Sequence, residues 1–585
     1  MTLDPRVLLA VAAAAAPSLL AYNVSPSPTF LNQALALALW GVFVAAAAAR
    51  AAPAGAPAAA TRGAAPLMVA LALVALGVVG SWGPGALPAS LALSALGLLA
   101  AAALLVASGA QQRARADAVD VFAAVCIGWL VAGLLNVAVA GVQVFAPDFP
   151  DGDWIAASGL PGRAVGNLRQ PNHLSSLLLW SAIATVALVE LRRLALAAGA
   201  AVLAALVFAV VLTASRTGLV SVLLLAVWGL ADRRLARGTR ALLLAAPLVY
   251  AAAWAGMAAW AQLSQHAFGG AARLAETDVS SSRFGIWANT LALIRMQPWT
   301  GVGFGEFNFA WTLTPFPGRP TAFFDHTHNL PLQLLVELGL PLGGAVLALL
   351  AWALWRAAAA AWGAAGDQGT AQRAALLMVL MIGLHSLLEY PLWYAYFLLP
   401  AAWAWGFALG GTRAGGVPGR PATGRALWRG RGALLAGGLV LVAGSALSVA
   451  DYRRVAVIFR ASPGAPPLAQ RIAEGQRSVF FAHHADYAAA TSGAVTVTGH
   501  GFDRTTHYLL DTRLMTDWAE TLAREGRLDE ARHLAARLRE FRHPESEEFF
   551  AACAASAPAP AASAGPPFQC APPARAPGWR EFLAR

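Results

Sequence analysis

Apolar runs cut by short polar links repeat along the chain up to about residue 450. A helix needs about 20 apolar residues to cross a bilayer, and somewhat fewer when its neighbours shield its ends. Runs near 6–22, 30–49, 66–81, 88–108, 120–146, 173–191, 194–213, 217–231, 241–261, 329–355, 374–390, 392–411 and 432–450 suit such helices. The first run is followed at once by another from Leu31, so it reads as a first span and not as a cleavable leader. After residue 450 the pattern changes. TDWAETLAREGRLDEARHLAARLREF shows helical periodicity with a Gly-Arg break in the middle, which predicts a helical hairpin. Residues 554–578 are rich in Ala, Pro and Ser. The expected organisation is a membrane domain over 1–450 with a long loop at 262–328, a small helical domain over 451–550, and a disordered tail over 551–585.

Composition supports the membrane reading. The chain is 58% hydrophobic and 12% charged, with mean hydropathy +0.59. Soluble domains carry roughly 25% charged residues. The expected fold class is therefore an all-α polytopic membrane protein with roughly 13 transmembrane helices. A net charge of +11 on such a chain is no sign of nucleic acid. The sequence has no lysine, so every Lys-or-Arg position is arginine. That matters because arginine grips phosphate bidentately and keeps its proton. With the N-terminus inside, the arginine-dense short links all fall on one side: Arg50 and Arg62, Arg113 and Arg115, Arg192 and Arg193, Arg233 to Arg240, Arg356 and Arg373, and Arg413 to Arg431. The other side receives 147–172, the Ser215–Arg216 turn, the loop 262–328, the Glu389–Pro391 turn and everything after Asp451.

The candidate chemistry collects on that second side, where polar groups at membrane depth are costly to keep. Gln170, Asn172 and His173 open a span beside Pro171, either as caps or as a pocket wall. Ser215 suits a helix cap, and Arg216 adds a charge where a helix N-terminus already favours anions. Arg283 begins a segment whose Phe284, Trp287, Leu291 and Ile294 share one helix face, as in a helix lying on a membrane surface. Gly301, Gly303 and Gly305 then suggest a flexible re-entry, with no strand before them to make a dinucleotide fingerprint. Asn329, Gln333 and Glu337 descend the next span at spacing four. His326 and His328 stand at its mouth, where a neutral imidazole suits a general base. No third or fourth ligand stands out, so no metal is expected there. His385 and Glu389 are spaced to share a helix face, ahead of an aromatic run from Tyr390. Asp151-Gly-Asp153 reads as turn chemistry or as a metal pair. Cys126 reads as packing; Cys553 and Cys570 can pair in an oxidising compartment.

Together QPNH at 170–173, SR at 215–216, SSRFGIW at 281–287, PWTGVGFGEF at 298–307, HTHNLPLQLLVELGLPLG at 326–343 and HSLLEYPLWYAYFLLP at 385–400 resemble the PglL-type protein O-oligosaccharyltransferases. These belong with O-antigen ligases and Wzy polymerases in one superfamily. The resemblance implies a bacterial inner-membrane enzyme with its site, long loop and C-terminal domain in the periplasm. It implies transfer of a glycan from undecaprenyl diphosphate to Ser or Thr hydroxyls of a protein, with inversion and without metal or cofactor. Arg216 and Arg283 would hold the diphosphate and His328 would be the catalytic base. Gln170 and Tyr390, or Tyr394 in its place, match positions of the PglL branch, whereas His326 has no assigned role. Asn172, His173, His326, Asn329, Glu337, His385 and Glu389 are the remaining candidates for the pocket. An O-antigen ligase acting on lipid A core, a Wzy-type polymerase, and a flippase for the same lipid are the alternatives. Every reading needs the two guanidiniums and the imidazole to serve one donor lipid.

Overall fold

A computed structural model describes residues 4–50, 62–275, 282–410, 424–497, 501–554 and 566–583. Ser280, Ser281, Arg413, Arg420, the side chains of Arg425 and Arg429, and residues 555–565 and 584–585 of the expected tail lie outside them. The described residues form helices and no strand, and each span read from the sequence falls on a helix. Among them, nine helices are long and apolar enough to cross a membrane. Three more, Pro5–Leu19, Arg216–Ala231 and Ala395–Leu409, are apolar but shorter. The helix Gly366–Ser386 has the length but begins with a charged turn holding Asp367 and Arg373. The chain is thus an all-α multi-pass membrane protein, and nine clear spans stand against the thirteen expected for those two reasons.

The chain divides into two compact units. The first comprises Met1–Val69, Leu98–Thr277 and Leu349–Val449. Its helices pack through small residues, which let backbones approach where no water drives them together. A Cβ on Gly41 would sit 2.8 Å from the carbonyl oxygen of Gly438, and one on Gly406 2.1 Å from that of Val106. Buried amides close the remaining helix ends. Asn32 donates to the carbonyls of Pro17 and Leu20 at 2.8 and 2.7 Å, satisfying acceptors at the end of Pro5–Leu19. Arg373 and Asp232 form a buried pair at 2.7 Å.

The second unit comprises Ala70–Gly97, Asp278–Ala348 and Ala450–Arg585. The expected hairpin is present as Thr512–Arg524 and Leu528–Phe541, joined at Gly526 with φ 81°. It does not fold as a separate domain. Its Leu514, Trp518, Leu534 and Phe541 share one core with Ile286, Leu293, Phe307, Phe309 and Trp311 of the long loop. The expected disordered tail also needs correction. Trp579 and Phe582 return to that core, and Cys553 and Cys570 are joined as a disulfide. Composition misled there because two aromatic anchors in a Pro/Ala background are enough to dock a short segment.

Candidate active site

In the first unit the polar residues gather where three membrane helices end. Gln170 caps Pro171–Glu190, its side-chain oxygen accepting the His173 N–H at 2.8 Å. Ser215 caps Arg216–Ala231 by accepting the Gly218 N–H at 3.0 Å. Ser215 also donates to Asn172 Oδ1 at 2.6 Å, and the Asn172 amide donates to Glu389 Oε1 at 3.0 Å. One relay therefore ties two helix starts to the turn after Gly366–Ser386. Arg216 is the first residue of its helix and reaches the Arg273 carbonyl at 3.0 Å. His173 is buried against Tyr396, whose hydroxyl lies 3.2 Å from Nδ1, and against the ring of Tyr394. His385 is buried with Nδ1 2.7 Å from Ser176 Oγ. Tyr390 stacks towards Tyr394.

The expected shared helix face for His385 and Glu389 is not found. The helix ends at Ser386, and Glu389 lies in the turn beyond, its N–H still bonded to the His385 carbonyl at 2.9 Å. Pro391 explains the stop, since the residues before it are steered away from helix.

In the second unit the site is a turn, 325–329. Thr327 is fully buried and holds it from both sides. Its hydroxyl donates to the Asn329 carbonyl at 2.8 Å, and its N–H donates to Gln333 Oε1 at 2.8 Å. Its carbonyl accepts the Trp287 indole N–H at 3.0 Å. Asn329 caps the following helix through the Leu332 N–H at 3.0 Å. His328 adopts φ 54°, a left-handed conformation uncommon outside glycine and favoured by few side chains. Its ring lies 4.3 Å, centroid to centroid, from that of His326, whose Nδ1 is bonded to the Asp325 carboxylate. Two imidazoles are thus presented side by side on a turn whose backbone is fixed.

The polar stripe below the turn is occupied by protein. Gln333 donates to Glu337 at 2.8 Å, and Glu337 also accepts the N–H groups of Gly305 and Phe307. The glycine run is correspondingly tight and not flexible. Val302 and Gly303 donate to the carbonyls of Val336 and Glu337 at 2.8 and 3.0 Å. Gly301 has φ 67°, and a Cβ on it would meet the Glu337 carbonyl oxygen at 2.5 Å. The surface stripe is also revised. On Arg283–Met296 the buried face is Ile286, Thr290, Leu293 and Ile294, while Phe284 and Leu291 are exposed. Ile294 therefore belongs to the core and not to the outer face.

Sequence reasoning overlooked Asp325, Tyr396 and Ser176, which orient the candidate histidines, and the pair of Glu306 with His507. Those two are buried with Oε2 and Nδ1 2.6 Å apart, and Phe309 stacks on the imidazole. Asp325 adjoins the HTH motif and was legible as a partner; the others carry no local signal. Asp151 accepts the N–H groups of Asp153 and Trp154 at 3.0 and 2.8 Å, which is turn chemistry.

The architecture and these clusters define a polytopic helical membrane protein with arginines and histidines placed at helix starts. A model of the O-antigen ligase family matches residues 200–348. A model described as virulence factor membrane-bound polymerase, C-terminal, matches 373–557, and one described as protein glycosylation ligase matches 164–189. A general O-oligosaccharyltransferase of Acinetobacter baylyi is 38% identical over 129 residues, which is 22% of this chain and 21% of that protein. The chain thus aligns with about a fifth of that relative's length. These matches bear out the resemblance carried by the motifs: separate segments of the chain are similar to O-antigen ligases and to protein glycosylation ligases.

Proposed function

We propose that this chain transfers a glycan en bloc from undecaprenyl diphosphate to Ser or Thr hydroxyls of proteins outside a bacterial inner membrane. Thirteen helices would cross that membrane, with the long loop and the residues after 450 in the periplasm; the one-sided arginine links support that orientation. The observation that carries the reading is the 325–329 turn, where buried Thr327 fixes the backbone that presents His326 and His328.

The chemistry needs little else. The acceptor oxygen attacks the anomeric carbon as the bond from that carbon to the diphosphate oxygen breaks. The lipid diphosphate leaves with the electron pair, and His328 takes the hydroxyl proton. Attack opposite the leaving group inverts the anomeric centre. Charge grows on phosphate oxygens during this step, so cations placed there favour the transition state over the ground state. Arg216 and Arg283 each begin a helix, adding a guanidinium to the positive end of a helix dipole. With those cations supplied by the chain, the step asks for no metal or cofactor.

A second reading keeps the donor and changes the acceptor to lipid A core or to another glycan. The O-antigen ligase match over 200–348 and the polymerase match over 373–557 favour it. A flippase has less support, because most candidate residues sit at helix ends and in turns and not at mid-helix, where transporters bind their cargo. Proteoliposomes holding the purified chain, undecaprenyl-diphosphate glycan and either a pilin-like protein or lipid A core decide between the acceptors. Glycan on the protein is expected. Glycan on lipid A core alone would overturn the protein reading. Arg216→Ala and Arg283→Ala should each lower transfer by roughly tenfold or more, with Lys restoring part of it; unchanged transfer in both removes the diphosphate role.

A further inference from the structure

A small open cleft, with a cavity volume of about 30 Å³, lies in the first unit beside the starts of the helices Pro5–Leu19 and Ala118–Phe145. Its cations come from three separate segments: Arg6, Arg50 and Arg115. Its walls are Leu9, Phe43, Ala46, Ala47, Val121 and Ala124. One carboxylate, Asp117, faces it and is shared by Arg6 at 3.0 Å and Arg115 at 2.8 Å. The hydrogen bond from Arg115 holds that carboxyl below the usual range, so it stays ionised and keeps both guanidiniums in place. Asp4 approaches Arg6 at 3.8 Å. Even with Asp4 counted, three arginines face two carboxylates, and the pocket keeps an excess positive charge.

This place is remote from the polar cluster of the first unit. Ala118–Phe145 has 28 residues, so its two ends are separated by about 42 Å. Its far end carries Gln143, which accepts the N–H groups of Val165 and Gly166 close to Gln170. The pocket belongs to the opposite end, among the arginine-rich links. The apolar wall argues against a small soluble anion. Guanidiniums recognise phosphate through paired N–H groups. Six apolar side chains would give a free phosphate nothing, but they would cover the first part of an acyl chain. Basic pockets between membrane helices favour acidic headgroups in this way.

We propose that this pocket binds the phosphate of an acidic phospholipid from the leaflet on the arginine-rich side of the membrane. Arg6 and Arg50 grip the phosphate, Arg115 holds Asp117 and the pocket floor, and the glycerol end of the chains lies against Phe43 and Val121. The Arg115 contact to the Ala47 carbonyl at 3.4 Å joins that floor to the helix Phe30–Ala49.

The test is native mass spectrometry of the full chain released from nanodiscs with equal phosphatidylglycerol and phosphatidylcholine. The wild type should retain phosphatidylglycerol over phosphatidylcholine by roughly tenfold. Arg50→Ala, which leaves the Asp117 pairs intact, should lose most of that preference, and Arg50→Lys should keep part of it. Arg6→Ala with Arg50→Ala should abolish it. Equal retention of the two lipids by the wild type, or an unchanged preference in both alanine variants, overturns the proposal. Added inorganic phosphate should not displace the bound lipid; displacement at millimolar phosphate would mark a soluble-anion site and overturn the lipid assignment.

Discussion

The two polar regions spend their hydrogen bonds differently. In the first, beside the backbone caps of Gln170 and Ser215, side chains bind side chains: Ser215 to Asn172, Asn172 to Glu389, Ser176 to His385, Tyr396 to His173. In the second, beside the pairs Gln333–Glu337 and His326–Asp325, side chains bind backbone: Thr327 to Asn329, Gln333 to the Thr327 N–H, Asn329 to the Leu332 N–H, Glu337 to the N–H groups of Gly305 and Phe307. A side-chain relay sets which groups meet, and it can re-form around a substituted partner. A backbone-bound turn sets where a side chain points. The second region is therefore the better suited of the two to place the proposed base.

The sharpest break of that comparison is removal of the proposed base. His328→Ala should lower protein glycosylation by roughly 10²–10⁴-fold, the usual contribution of a positioned proton acceptor. Thr327→Val keeps the shape and removes the hydroxyl bond to Asn329, so it should cost turnover by roughly tenfold with donor binding retained. Asp325→Asn, which changes only the partner of His326, should cost less than Thr327→Val. In the first region Ser215→Ala removes a cap, and should lower stability by about 1 kcal/mol. If Ser215→Ala harms turnover more than Thr327→Val, the contrast between relay and turn is mistaken. Transfer to acceptor read alongside donor binding measures all four.

Much of this was legible beforehand. Long apolar runs are a strong signal, so every expected span fell on a helix, and Gln333 and Glu337 of the 329–337 stripe meet on one helix face as their spacing predicts. What escaped lies in short pieces. Phe307, Phe309 and Trp311 are fully buried on a seven-residue helix, too short for periodicity to declare a buried face. Their partners Phe502, Leu514 and Trp579 are about 200 residues away or more, so nothing local announces the shared core. The glycine run read as flexible because glycine permits freedom, but here positive φ and close approach to Glu337 and Gly339 are what the structure uses. Glu389 was drawn as helical because spacing alone does not register the effect of Pro391.

The core shared by the long loop and the C-terminal helices gives the next largest effect. Glu306 and His507 are buried together, and removing one partner leaves the other unpaired. His507→Leu should destabilise the protein by about 3–5 kcal/mol, whereas Glu306→Leu with His507→Leu should cost much less. Thermal unfolding followed by tryptophan fluorescence checks this. A single substitution as mild as the double one would mean the pair does not fasten the loop to those helices, and the fixed turn would lose that support.

Acid should act on the same core more gently. Burial lowers His484 to about 4 and His533 to about 4, and burial also pushes His483 well down. These groups are neutral in the fold and take protons more readily when it opens. Their stability contribution is complete above about pH 6.5 and is lost as pH falls towards 4. Hydrogen exchange of residues 482–541 should therefore quicken between pH 6.5 and 4.5. His533→Gln should flatten that dependence. An exchange profile insensitive to pH after correction for intrinsic rates removes this account.

The smallest effect separates turn from metal at Asp151. Its Oδ1 accepts the N–H groups of Asp153, Trp154 and Ile155, the last at 3.3 Å, and the residue is exposed. Asparagine offers the same acceptor oxygen without the charge, so Asp151→Asn should preserve the turn and leave transfer within about twofold of wild type. Asp151→Ala removes the acceptor and should loosen residues 151–155 without unfolding the helices on either side. A divalent ion held by Asp151 and Asp153 would instead make the asparagine variant nearly as damaging as the alanine one, because both lose the anionic ligand. The ratio of the two variants, read in the same transfer assay, therefore distinguishes a backbone-shaping carboxylate from a ligand, and a ratio near one with both strongly impaired would put a metal back into this loop.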